Sequence, residues 1–233
     1  MLTIAFSISP DEEALPAELL KINSSQPEPN LVSYAAARIR QGQVLGMPTD
    51  TFYGLAADPV NLRAVERIYE IKSRSRHKPL SLLVESVDQA TELARNVPDV
   101  FHQLAAKYWP GPMTIIVKAS SRLPLKVTAN TGNVALRVPD APIPKAIIRE
   151  IGFPITATSA NLLGSAECTT AECVREQMGD RISIIVNGGR TQRDMPTTIV
   201  DLSGNPMQWQ IIREGAISAE EISQILWPDV ERE

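Results

Sequence analysis

An α/β fold with a mixed sheet is predicted for this chain of 233 residues by three observations. Helical and strand-like periodicities alternate from about residue 31 onward, the links between them are short, and the last two strand candidates lie close enough to form a hairpin. Hydrophobic residues make up 43% and charged residues 21%, a balance that supports one folded core rather than a disordered or membrane-embedded chain.

The elements follow in order. Residues 10–30 contain Pro10, Pro16, Pro27 and Pro29, which break any long helix, so they read as an N-terminal strand and a surface connection. Asn30 is expected to cap a helix over LVSYAAARIR, with Leu31, Tyr34, Ala35 and Ile39 on one face and Gly42 ending it before the strand-like VLGMPT. Asn61 caps the next helix, NLRAVERIYEIK, where Leu62, Val65, Ile68 and Tyr69 share a face, and LSLLV follows as a buried strand. Further helices are expected over 86–95, 99–107, 142–151, 170–178 and 218–226. Strands are expected over 114–118, 134–138, 155–158, 182–186, 197–202 and 208–213, and the short link in DLSGNPMQWQII predicts the terminal hairpin.

Composition narrows the function classes. No segment approaches the roughly 20 apolar residues that cross a bilayer, and MLTIAFSIS lacks a basic leader and runs into Asp11, Glu12 and Glu13, so no membrane association and a cytoplasmic location are expected. The net charge of −4 is already carried by residues 1–30, which leaves the rest neutral overall. An anionic ligand must therefore be drawn by a local cluster of cations. Cys168 and Cys173 have neither a histidine nor a second cysteine pair nearby, so they are expected as reduced structural thiols rather than a zinc site or a disulfide. His77 and His102 are too few for a histidine-based metal site, and none is expected. The chain also lacks a P-loop, a dinucleotide GxGxxG, a nucleophile elbow and HExxH, which argues against the commonest nucleotide hydrolases, dehydrogenases and metalloproteases.

Several short segments remain as candidates for chemistry. Lys72, Arg74, Arg76 and Lys78 fall within seven residues containing no acid, in an expected loop before a strand. Guanidinium forks and lysine point charges suit a triphosphate, and a solvated basic loop is the alternative. TATSANLLGSA ends a strand in Thr158, Ser159 and Asn161, which either open backbone N–H groups to a polar ligand or cap a local turn. PTDTFYGLA offers Thr49, Asp50 and Thr51 beside Gly54; Asp50 reads equally as a metal or amine ligand and as an Asx-turn acceptor. Arg137 interrupts the apolar strand NVALRVPD, so it either faces solvent or clamps a carboxylate. WPGPMT, PTTIVD with Thr197 and IIREG with Arg213 carry no meaning singly.

Taken in order, PTDTFYGLA, KSR before KPL, WPGPMT, LRVPD, TSAN, TTIVD and IIREG resemble the YrdC-type threonylcarbamoyl-AMP synthases from about residue 33 to 217. The resemblance implies a single twisted α/β domain whose mixed sheet curves around a deep basic cavity, with 1–30 as an N-terminal strand and connection, 31–217 as the catalytic domain and 218–233 as a C-terminal helix and tail. Longer relatives carry a second C-terminal domain, which is not expected here. The implied reaction joins L-threonine, bicarbonate or CO₂ and ATP into threonylcarbamoyl-AMP with release of pyrophosphate, as a nucleotidyl transfer with Mg²⁺ on the triphosphate. The product would pass to a tRNA threonylcarbamoyl transferase, which modifies the adenosine beside the anticodon, so tRNA is an indirect partner.

By the same resemblance, Thr51, Arg137, the backbone at Ala157 and Thr197 hold L-threonine. Lys72 lies beside bicarbonate and phosphates and acts in catalysis with Arg74. Arg74, Lys78, Asn133, Ser159, Asn161 and Arg213 form the ATP site, and Glu167 is loosely aligned with a nucleotide contact. Many relatives carry a histidine in the threonine pocket where this chain has Leu83. The competing readings are an RNA-binding module, a YciO-like relative without this activity, and a carbamoyl-adenylating domain of the hydrogenase-maturation type. The intact KxR and SAN segments, the acidic charge and the chain length speak for the synthase.

Overall fold

The α/β fold is observed with its mixed strands divided between two sheets in a computed structural model, which describes residues 17–73 and 79–227. The first half of the chain supplies β1 (Glu18–Lys21), α1 (Pro29–Arg40), β2 (Leu45–Met47), β3 (Gly54–Ala56), α2 (Leu62–Lys72), β4 (Ser81–Leu83), α3 (Val87–Glu92), α4 (Asp99–Tyr108) and β5 (Met113–Lys118). The second supplies β6 (Asn133–Arg137), α5 (Pro142–Ile151), β7 (Ile155–Thr156), β8 (Thr158–Ser159), α6 (Ala171–Met178), β9 (Ile184–Asn187), β10 (Thr198–Asp201), β11 (Gln210–Arg213) and α7 (Ala219–Leu226). One sheet has the order β1-β9-β2-β3-β8 and the other β11-β10-β5-β6-β4-β7.

Most elements lie where periodicity puts them, and the departures have local causes. Asn61 caps α2 as expected, accepting from the N–H groups of Arg63 at 3.1 Å and Ala64 at 3.2 Å. Helix α1 starts earlier than Asn30, because Pro29 occupies its first turn, where a missing N–H costs nothing, and Glu28 stands at the cap position. Leu62, expected on the apolar face of α2, is exposed, whereas Val65, Ile68 and Tyr69 are buried. The helix predicted over 86–95 shortens to α3; Ala94 instead bridges to Ala119, and Asn96 has a left-handed backbone.

The strand predicted over 155–158 divides at Ala157. Leu83 pairs with Ile155 in one sheet, while Leu55 pairs with Thr158 in the other, and the Ala157 N–H donates to Ser81 O at 2.8 Å. One short segment thereby stitches both sheets together, and the space where they diverge is the candidate site. The terminal hairpin forms between β10 and β11, with a register shift between Ile199 and Val200.

Cys168 and Cys173, expected as separate reduced thiols, are joined by a disulfide. Thr170 caps α6 by accepting from the Cys173 N–H at 3.3 Å, and this tight entry into the helix brings the two Cα atoms to 5.5 Å, within bridging range. Cysteine count and compartment carry no information on this local turn. Among the described residues no helix is long and apolar enough to cross a membrane.

Candidate active site

Where β7 gives way to β8, a cavity of about 200 Å³ opens between the sheets. Thr49, Thr51 and the Phe52–Gly54 segment line it from the β2–β3 connection, and Ala157, Thr158 and Ser159 from the crossing strand. Ser81 and Leu83 of β4, Thr114 of β5, Arg137 of β6, Pro196, Thr197 and Ile199 at β10, and Arg213 of β11 close the other side, with Glu167 at one wall. Of the residues given a catalytic, threonine or ATP role from sequence, six therefore meet here: Thr51, Arg137, Ala157, Ser159, Thr197 and Arg213.

Arg137 is buried, which removes the solvent-facing alternative for this strand position. Its Nε donates to Gly111 O at 2.9 Å, Nη1 to Thr51 Oγ1 at 3.1 Å, and Nη2 to Asp50 Oδ1 in a short ion pair. A guanidinium carries five N–H donors; three are used, so about two remain for a ligand among the described residues. Burial pulls the Arg137 pKa down, Asp50 opposes that shift through its charge and hydrogen bond, and Arg193 and Arg213 add to the depression. The group stays charged, because an arginine is effectively always protonated.

Asp50, left open by the sequence between a metal or amine ligand and an Asx-turn acceptor, makes no Asx turn among the described residues and is paired with arginines instead. Its carboxylate lies wholly out of solvent, with Oδ1 accepting from Arg137 and from the Asp140 N–H at 3.1 Å, and Oδ2 from Arg193 Nη1 at 3.4 Å. Arg193 was missed by sequence reasoning: it belongs to none of the quoted motifs and stands 143 positions from its partner. No periodicity carries such a signal.

Two of the threonines on the cavity wall, Thr51 and Thr197, have complementary polarity. Thr49 Oγ1 gives its proton to Phe52 O at 2.8 Å, so in the 3.1 Å contact between the two hydroxyls Thr51 is the donor. Thr51 then accepts from Arg137, which leaves one of its two lone pairs unused among the described residues. Thr197 Oγ1 is the reverse case. It accepts from Thr114 at 3.3 Å and from Arg213 Nη2 at 2.9 Å, which fills its lone pairs and leaves its proton to donate.

Arg213 is held by this same residue, with Nε and Nη2 donating to Thr197 O at 3.1 and 2.9 Å. Burial lowers its pKa, and the Glu167 carboxylate opposes the shift. Gly215 explains the end of IIREG. A Cβ there would lie 2.2 Å from Pro196 O and 2.7 Å from Thr197 C, both backbone atoms of the cavity wall. Gly215→Ala is therefore expected to cost about 1–3 kcal/mol of stability, read by denaturant unfolding, because backbone rather than a flexible side chain must move.

The remaining sequence candidates lie elsewhere. Lys72, expected in a loop, is the last residue of α2 and is buried. Its Nζ donates to Ser159 O at 2.7 Å, Asn161 O at 2.6 Å and Asn161 Oδ1 at 2.8 Å, so it ties down the strand end rather than lining the cavity. Asn161 in turn donates through Nδ2 to Ser165 O at 2.6 Å. Asn133 stands at the opposite end of β6 from Arg137, outside the cavity lining. Arg74 and Lys78 lie outside the described residues. Among the described residues no group of three or more His, Cys, Asp or Glu side chains could hold a metal ion.

Comparisons with known proteins converge on one family. Residues 37–215 match the Sua5/YciO/YrdC family model, described as telomere recombination. The chain is 37% identical over 199 residues to the threonylcarbamoyl-AMP synthase of Bacillus subtilis, covering 84% of this chain and 57% of that one. The crystal structure of Pyrococcus abyssi Sua5 complexed with L-threonine superimposes with a TM-score of 0.85 at 32% identity, covering 90% of this chain and 61% of that one. Escherichia coli YciO gives a TM-score of 0.81 at 25% identity, covering 88% of this chain and 99% of that one. The chain thus spans somewhat over half the length of the Bacillus and Pyrococcus relatives.

Proposed function

The chain belongs to the Sua5/YciO/YrdC family, and from that premise we propose that it makes threonylcarbamoyl-AMP from L-threonine, bicarbonate or CO₂, and ATP, with release of pyrophosphate. The observation that carries this reading is the buried Arg137, which has about two N–H donors left over beside the accepting Thr51 and the donating Thr197. A planar fork fits a carboxylate bidentately, a lone pair on Thr51 suits an ammonium or amine, and the Thr197 proton suits a hydroxyl or carboxylate oxygen. Those are the polar groups of a free hydroxy amino acid.

In this reading the threonine amine attacks CO₂ with loss of a proton, or bicarbonate with loss of water, to give an N-carboxylate, whose oxygen attacks the α-phosphate of ATP and expels pyrophosphate. No covalent bond to the protein is needed, so the side chains orient the reactants and offset phosphate charge. Arg213, Ser159 and Lys72 face or brace the nucleotide side, Asn133, Asn161, Arg74 and Lys78 complete it, and magnesium arrives on the triphosphate. The product then goes to a tRNA threonylcarbamoyl transferase in the cytoplasm. A mixed anhydride with AMP hydrolyses readily, which favours prompt hand-over.

The test is mass-spectrometric detection of threonylcarbamoyl-AMP and pyrophosphate from purified protein, ATP, Mg²⁺ and bicarbonate, with and without L-threonine. Threonine-dependent product is expected. The YciO likeness gives the second reading its footing, and a protein that binds threonine or ATP yet forms no product would favour it.

A further inference from the structure

Asp50 has one negative charge and two cations to answer. Its Oδ1 accepts from buried Arg137, and its Oδ2 meets Arg193 at 3.4 Å, while the carboxylate itself is 0% exposed and the Arg193 side chain 38%. Among the described residues the only other hydrogen bond to this carboxylate comes from the Asp140 N–H. The trio therefore carries a net charge of about +1, placed at the cavity wall through the Arg137 edge that has donors to spare.

We propose that Arg193 is a positioning residue for the substrate carboxylate: by sharing Asp50 with Arg137, it keeps the Arg137 clamp from being neutralised by its own counter-ion. This rests on the reading that Arg137 takes the carboxylate of L-threonine. Without Arg193, Asp50 and Arg137 form a closed, neutral pair, and an incoming carboxylate meets a dipole instead of a charge. The position of Arg193 behind Asp50, outside the cavity lining, makes its effect electrostatic and orientational rather than a direct contact. Such an effect acts on amino-acid binding and leaves the nucleotide side, built from other residues, alone.

The experiment is calorimetric titration of the full chain and of its Arg193→Ala and Arg193→Lys variants with L-threonine, with L-threoninamide, and with ATP and Mg²⁺. Arg193→Ala should weaken threonine binding about tenfold, because a charge one carboxylate away is removed from a partly screened position. Arg193→Lys should recover most of that loss. Affinity for threoninamide, which lacks the carboxylate, and for ATP should stay within about twofold. Equal loss for threonine and threoninamide, a parallel loss of ATP affinity, or no loss at all would each overturn the proposal. If the unaltered chain binds ATP but not threonine, it is the substrate assignment that fails, and the variants need not be consulted.

Discussion

Replacing Arg137 by alanine is expected to abolish threonine-dependent product formation, with a fall of about a thousandfold or more. The substitution removes the bidentate fork and also leaves Asp50, among the described residues, facing only Arg193 and the Asp140 N–H. Loss of one partner from a buried pair costs about 3–5 kcal/mol, so the variant should also unfold at lower denaturant. The two effects can be separated. In Asp50→Asn combined with Arg137→Met no lone buried carboxylate remains, so stability should return towards that of the parent while activity stays absent. Calorimetric titration with threonine and urea unfolding read the two arms. Unchanged threonine affinity in Arg137→Ala would remove the carboxylate clamp from the site.

Lys72→Met should be nearly as severe, by a different route. A basic residue in a loop would be dispensable to the fold, but Lys72 closes α2 and spends its three ammonium protons on oxygens of Ser159 and Asn161 within 2.8 Å. Methionine keeps most of the volume and withdraws every donor, leaving those oxygens underserved in a buried setting. A loss of about 2–4 kcal/mol follows, together with displacement of the Ser159 end of β8 from the cavity wall. Product formation should drop at least a hundredfold even at temperatures where the variant is folded, since misplacement by about 1 Å suffices for such a loss. A variant with full stability and no activity would instead show Lys72 acting on the reactants themselves, and one with parental turnover would exclude it from the site.

Much of this molecule is legible along the chain. The helices over Leu62–Lys72, Pro142–Ile151 and Ala219–Leu226 follow from periodicity, the first also from its Asn61 cap, and the terminal hairpin from two strands with a short link. The ordered motifs pick out Thr51, Arg137, Thr197 and Arg213, which meet at one cavity. These signals are local, or depend on residue type at fixed spacing, so folding need not be known to see them. What the sequence leaves ambiguous turns on distance in space. The burial of Arg137, the division of 155–158 between two sheets, the bond between Cys168 and Cys173 and the capture of Lys72 by Asn161 all depend on where remote or turning segments come to rest. Asp50 is the sharpest case. Within PTDTFYGLA it is one acid among hydroxyls, and only the tertiary structure sets it between arginines 87 and 143 positions away. The sequence alone determined which elements form and which residue types converge; the charge balance of the cavity was decided by packing, because Coulomb interaction depends on separation in space and not along the chain.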